Sequence, residues 1–328
     1  MFVVVAIKCE LCTRITRVVI FMINRVLIRI KVIQVIYAYY KNSGKSIKAA
    51  EDEVFFSLSK AYDLYKFLLL LIAAVTHYAS DRIAFNMKKV RPTEEDLNPN
   101  LKFVNNRLAM QIEANEELIK FREKSKLDWV NYSDFLRRLL DTIIESDIYK
   151  EYMASDTSSY EEDRELWRKL YKNFIFNNEE LDSLLEELSL YWNDDKAIVD
   201  TFVLKTIKRF NEDEEEQQAL LPEYKDDEDI EYAHKLFRAS IQNADEYRNM
   251  MSESSKNWDM SRLAFMDVVI MQTALAEITT FPQIPLNVTL NEYVEIAKYY
   301  STPKSSSFIN GLLDSIIKNL KKENKINK

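Results

Sequence analysis

Glycine is nearly absent from this chain of 328 residues, in which only Gly44 and Gly311 occur. Loops that cradle phosphate groups need several closely spaced glycines, because their backbone turns tightly and approaches the ligand. P-loop, dinucleotide-binding and protein-kinase sites are therefore excluded. With only 6 prolines, the chain also lacks the turn residues of a β-sandwich or barrel. The composition predicts an all-α fold.

Cysteine and histidine are as scarce, with two residues of each. Cys9 and Cys12 form a single C-x-x-C, without the second pair of ligands that a tetrahedral zinc site needs. His77 and Asp81 are four residues apart, but a metal site needs a third ligand, and we interpret them as a surface pair. His234 has no Ser or Cys nucleophile near it in sequence to form a catalytic triad. We expect no metal, no cofactor and no enzymatic activity.

Long hydrophobic runs are missing too. The longest, residues 67–75, has nine residues, whereas a membrane span needs about 20. In the first residues an apolar run precedes the basic residues, the reverse of a signal peptide. We therefore expect a cytoplasmic protein without a membrane anchor. Because the helical pattern starts just after Met22, residues 1–21 are interpreted as a non-native N-terminal extension.

Charge is distributed unevenly along the chain, whose formal net charge is −8. Residues 212–231 hold eleven acidic residues and one basic residue. Residues 23–50 hold six basic residues and no acidic one. The negative net charge thus describes one segment and is compatible with an anionic partner.

Prolines and polar clusters divide the chain into helical blocks. The acidic stretch 211–229 is interpreted as a solvated linker. Thr289 and Glu292 form an S/T-x-x-E capping box that predicts a helix start at residue 290, and Ser305 is a good N-cap for the last helix. The predicted helices are 24–41, 47–85, 101–152 with a break near 125, 161–176, 179–192, 196–210, 230–251, 261–278, 290–300 and 305–320.

The C-terminal segment carries a resemblance to a known family. Residues 285–298, PLNVTLNEYVEIAK, and residues 305–314, SSSFINGLLD, resemble the signature of the NusB transcription antitermination family. In that family a P-x-x-V-x-x-N-E-x-V-E-x-A-K helix is followed by a short loop and F-V-N-G-V-L-D. Arg25, Arg29 and the Q-V-I-Y of residues 34–37 resemble the family's opening helix.

This resemblance implies a NusB-like bundle of two three-helix subdomains. They correspond to residues 22–78 and 229–320. Residues 79–228 then form a helical insertion with the acidic linker, and residues 321–328 form a basic tail. We expect the insertion to be unnecessary for RNA contact, since it lies outside both matched regions.

The function implied by the resemblance is non-catalytic. A NusB-type factor binds boxA-like single-stranded RNA together with ribosomal protein NusE, joins the transcribing RNA polymerase complex and suppresses termination in ribosomal RNA operons. Arg25 and Arg29 share one face of the first helix near its positive end, which suits phosphate binding. Phe308 either stacks on a base or fills the core. The residues expected to bind RNA are Arg25, Arg29, Tyr37, Lys304, Ser305 and Phe308.

Two alternative functions compete with this one. Val26 and Leu27 stand where the family usually has basic residues, which favours a NusB-fold scaffold or ribosome-assembly helper without RNA binding; Arg25 and Arg29 would then be ordinary surface charges. The fold also resembles the N-terminal domain of ribosomal RNA cytosine methyltransferases. Those enzymes need a glycine-bearing S-adenosylmethionine loop and a catalytic cysteine in a following α/β domain, and this chain supplies neither.

Overall fold

The computed structural model describes residues 21–42, 44–255 and 263–326. These ranges contain fifteen α-helices and no strand, which confirms the predicted all-α fold. Most of the proposed N-terminal extension, including its two cysteines, lies outside them. The helices are α1 (Arg25–Lys41), α2 (Ile47–Met87), α3 (Glu94–Leu97), α4 (Arg107–Ala114), α5 (Glu116–Ser125), α6 (Ser133–Glu145), α7 (Asp147–Ala154), α8 (Tyr160–Leu170), α9 (Glu179–Leu188), α10 (Lys196–Arg209), α11 (Asp227–Gln242), α12 (Ala244–Ser254), α13 (Phe265–Thr280), α14 (Leu286–Tyr300) and α15 (Ser305–Lys322).

The first two helices each begin at an N-cap residue of a type that commonly caps helices. The Asn24 side chain accepts a hydrogen bond from the Leu27 amide at 2.9 Å, and Ser46 accepts one from the Ala49 amide at 3.1 Å. Gly44 lies between α1 and α2 with φ 112°, a conformation that favours glycine. Both helices therefore follow the predicted bounds closely.

Helix α1 packs against α2, α11 and α13. It runs antiparallel to α13, because Arg29 meets Glu277 near one end of the pair and Tyr37 meets Phe265 near the other. Nine consecutive positions of α1 include eight buried side chains, two of them charged. This enclosure decides which of its basic residues can reach a ligand.

The inserted helices share the core of the bundle. With 41 residues, α2 is about 60 Å long, and it packs against α4, α5 and α6. Trp129 stacks on Phe67 of α2 with ring centroids 4.1 Å apart, and its indole N–H donates to the Phe67 carbonyl at 2.8 Å. Both rings are buried, so the region predicted to be an insertion is an integral part of the fold.

The acidic stretch 211–229 departs from the predicted solvated linker. Its first part, Glu212–Gln217, is exposed as expected, but Leu220 and Leu221 are buried. The Leu221 amide donates to the Tyr65 hydroxyl at 3.1 Å. The second part of the stretch is therefore packed and not solvated, because burial of the two leucines removes apolar surface from water.

Each helix that the structure describes is too short or too polar to cross a membrane.

Candidate nucleic-acid interface

Arg25 lies in the first turn of α1, where no acidic side chain offsets the positive end of the helix. Its Nε is 3.2 Å from a carboxylate oxygen of Asp229, and its guanidinium lies 5.0 Å from the centroid of the Tyr232 ring. About a third of the side chain, 35%, is exposed. Arg25 is thus held at the surface by one ion pair while part of its guanidinium faces solvent.

Arg29 lies in a different environment from the one expected. Its side chain is only 4% exposed, and its Nε and Nη2 donate to the two carboxylate oxygens of Glu277 at 2.7 and 2.9 Å. Its Nη1 lies 3.6 Å from Glu292. The expected phosphate contact therefore does not fit this arrangement, because the guanidinium is enclosed and committed to carboxylates.

Glu277 is the centre of a buried polar network. Besides Arg29, its carboxylate accepts hydrogen bonds from the hydroxyls of Tyr232, of Thr289 at 2.7 Å and of Tyr293 at 3.2 Å. Burial alone would raise the pKa of Glu277, but the hydrogen bonds and the charge of Arg29 outweigh burial, and the pKa is lowered. The carboxylate stays ionised and joins α1, α11, α13 and α14.

The bond from Thr289 also overturns the predicted capping box. Helix α14 begins at Leu286, directly after Pro285, so Thr289 lies inside the helix. Its hydroxyl donates to Glu277 instead of capping the Glu292 amide. Pro285 explains the earlier start, since its fixed φ of −61° already suits the entry to a helix.

A cluster of cations and aromatic rings lies where the carboxyl end of α1 meets the amino end of α13. We name Tyr37, Tyr40, Lys41, Arg248 and Phe265 the cation–aromatic surface. The Phe265 ring lies 5.5 Å from that of Tyr37 and 6.0 Å from that of Tyr40. Lys41 Nζ is 4.7 Å from the Phe265 centroid, and the Arg248 guanidinium is 4.8 Å from the Tyr40 centroid. All five side chains are partly or fully exposed.

Four members of this surface, all except Tyr37, were not among the residues that the sequence led us to expect. Lys41 follows Tyr37 by four residues on α1, a spacing that places them on one face and that the sequence does show. Arg248 comes from α12 and has no such signal. Within the described ranges, neither Lys41 nor Arg248 has a carboxylate within 4.0 Å. Their charges are therefore not neutralised by a neighbour there.

The loop before α15 is fixed to the amino end of α13 by a buried carboxylate. Ser305 is 2% exposed, and its hydroxyl donates to Asp267 at 2.9 Å; the Ser301 hydroxyl donates to the same carboxylate. The Ser305 hydroxyl therefore faces the core and fixes the loop to Asp267. This position does not fit the RNA contact expected of Ser305. Lys304 is exposed, and the half-buried Phe308 lines one groove with it.

The expected site residues fall into two groups along α13. Tyr37, Lys304 and Phe308 lie near its amino end, around Phe265 and Asp267. Arg25 and Arg29 lie towards Glu277, which is ten residues and about 15 Å further along the helix. Exposed cations beside flat aromatic faces are the combination that holds single-stranded nucleic acid, since cations meet phosphates and rings stack on bases.

Comparison with known proteins points to one family. The family model described as "NusB family" matches residues 197–318, which include Arg248, Phe265 and the loop before α15. The chain is 34% identical over 98 residues to the transcription antitermination protein NusB of Salinibacter ruber, covering 30% of this chain and 61% of that protein. It is 39% identical over 88 residues to the protein of that name from Dictyoglomus thermophilum, covering 27% and 61% respectively.

A third relative, the transcription antitermination protein NusB of Chloroherpeton thalassium, is 35% identical over 98 residues; 30% of this chain and 46% of the relative are covered. The chain thus spans about half to three fifths of the length of the curated relatives it matches. No solved structure matches the chain. The match begins at residue 197, so α10 is included in it although the sequence had placed this helix in the insertion.

Proposed function

Because residues 197–318 form a NusB family domain, we propose that this protein is a non-catalytic, cytoplasmic transcription antitermination factor. It binds boxA-type single-stranded RNA together with ribosomal protein NusE. As part of the transcribing RNA polymerase complex, it suppresses termination in ribosomal RNA operons.

The observation that carries the proposal is the cation–aromatic surface. Lys41 and Arg248 lie within 5 Å of the Phe265 and Tyr40 rings respectively. Rings presented beside cations suit single-stranded RNA, because every base has a face that can stack and every nucleotide carries a phosphate.

Phosphate binding is assigned to the exposed cations. Lys41, Arg248 and Lys304 surround the amino end of α13, and Arg25 extends the positive path towards its other end. Arg29 and Ser305 support this surface from within, through Glu277 and Asp267. Tyr37 and Phe308 offer the rings for stacking.

The main competitor is a NusB-fold scaffold without RNA binding. One observation favours it: two of the six expected RNA contacts, Arg29 and Ser305, are buried. A scaffold without RNA binding does not explain why exposed cations lie beside Tyr40 and Phe265, whereas RNA binding explains it. RNA binding is therefore the better supported function.

The test is a binding titration with a fluorescent boxA-type RNA, with and without purified NusE. The wild-type chain is compared with a Lys41→Ala, Arg248→Ala double variant and with Lys48→Ala. Lys48 is the matched control, since its side chain is 81% exposed and pairs with Asp52 away from this surface. We expect the double variant alone to lose at least tenfold in affinity. Equal measurable affinity of all three proteins would place the RNA outside this surface, and no binding by the wild-type chain even with NusE would favour the scaffold.

A further inference from the structure

Residues 189–195, within the predicted insertion, pack against α1. The Lys31 ammonium is 2.7 Å from a carboxylate oxygen of Asp195 and donates to the Tyr191 carbonyl at 3.0 Å. The Gln34 amide donates to Asp194 at 2.8 Å. These contacts hold an inserted segment against the helix that also carries Tyr37.

A pocket of about 340 Å³ lies between this segment and the bundle. Its walls come from four parts of the chain: α1, α2, the inserted segment, and the facing ends of α13 and α14. Tyr37 and Tyr300 contribute aromatic rings, while Gln34, Glu53, Leu190 and Asp194 contribute from the other sides. Its volume is in the range of small-ligand sites. The pocket adjoins the cation–aromatic surface, since Tyr37 belongs to both.

The polar groups in this pocket select one kind of ligand. Asp194 presents an exposed carboxylate, which accepts from the Gln34 amide through one oxygen and repels phosphate. Glu53 is already paired with Lys45. The only cation among the lining residues, Lys31, is buried and engaged by Asp195. A flat group with N–H donors on its edge fits such a site, because the rings offer stacking faces and the second oxygen of Asp194 can accept from an amino group.

We propose that this pocket receives one unstacked nucleobase with an exocyclic amino group, adenine, cytosine or guanine, from the RNA bound at the cation–aromatic surface. The inference rests on the proposed function. The insertion then contributes to RNA recognition through Leu190, Tyr191 and Asp194, in contrast to the expectation from sequence that it is unnecessary for RNA contact. Uracil, which lacks an amino group, is disfavoured.

The experiment measures the affinity of the full chain, with NusE, for oligo(A), oligo(C) and oligo(U) of equal length at one salt concentration. We expect wild type to bind oligo(A) or oligo(C) about tenfold more tightly than oligo(U). Asp194→Ala removes an exposed acceptor and should reduce that preference to within about twofold. Asp134→Ala, which removes an exposed carboxylate elsewhere in the insertion, should leave the preference unchanged.

A second measurement on the same proteins is chemical protection of the RNA. One adenine or cytosine should have its base-pairing edge protected from dimethyl sulfate in the wild-type complex and exposed again with Asp194→Ala. If RNA binds but preference and protection are the same with Asp194→Ala, the pocket assignment is wrong and the proposed function stands. If wild type binds none of the RNAs even with NusE, both the pocket assignment and the proposed function are wrong.

Discussion

Arg29 and Glu277 form a buried two-point ion pair that joins α1 to α13 across 248 positions of sequence, with N···O distances of 2.7 and 2.9 Å. The pair lies about 15 Å along α13 from the cation–aromatic surface, and Arg29 is on α1, the helix that also carries Tyr37 and Lys41. The pair fixes α1 against α13, and the positions of the exposed residues of α1 therefore depend on it.

Replacing Arg29 by methionine should destabilise the protein by about 3–5 kcal/mol, because Glu277 would be left charged and buried without its partner. Urea unfolding measures the change. Arg82→Met is the matched control: it breaks an exposed ion pair between α2 and α6 and should cost less than about 1 kcal/mol. Similar losses in both variants would show that the buried pair contributes no more than a surface pair.

The contribution of Glu277 should depend on pH in one direction. Its pKa in the folded protein is lowered, so its stabilising effect is fully present above the ordinary carboxyl pKa and is lost as pH falls through the folded value. Glu277→Gln should therefore be much less stable than wild type at pH 7, and the difference should shrink below about pH 4. The free energy of unfolding, measured from pH 7 to pH 3, checks this; a difference that grows on acidification contradicts it.

The insertion should be needed for folding. Trp129→Ala removes a ring stacked on Phe67 and should cost about 3–5 kcal/mol in unfolding free energy. Val130→Ala, at the neighbouring position with a side chain 69% exposed, should change stability by less than about 0.5 kcal/mol. A near-neutral Trp129→Ala would show that the insertion folds as a separate unit.

Phe308→Leu should separate stacking from packing. Leucine keeps most of the apolar volume, so stability should fall by less than about 1.5 kcal/mol. It lacks a flat ring, so RNA affinity should fall about tenfold, since base stacking is worth about 1–3 kcal/mol. The control is Phe85→Leu, which alters an exposed ring at the far end of α2. A large loss of stability with unchanged affinity would assign Phe308 to the core.

Local features of the fold were predictable from the sequence, and long-range ones were not. The starts of α1 and α2 were predicted closely, and each depends on a cap, Asn24 or Ser46, whose partner lies only three positions away. Arg29 was expected at the surface because its four-residue spacing from Arg25 places both on one face. Nothing local reveals that Glu277 covers that face.

The same reason explains the other differences. The Thr289 capping box matched its motif, but Pro285 begins the helix one turn earlier and a distant carboxylate takes the hydroxyl. Ser305 had a suitable position for an N-cap, yet it is turned towards Asp267. Arg248 joins the candidate surface only through the packing of α12 against α13, which brings its guanidinium over the Tyr40 ring.

The salt dependence of RNA binding tests the central claim most directly, because each phosphate contact contributes about −0.7 to the slope of log K against log salt for single strands. With Arg25, Lys41, Arg248 and Lys304 each binding one phosphate, the wild-type chain with NusE should give a slope about 2.8 steeper than NusE with RNA alone. Replacing Lys41, Arg248 and Lys304 by alanine together should flatten the slope by about 2 and weaken binding, with helix content unchanged. An unchanged slope and affinity in that triple variant would contradict RNA binding at this surface.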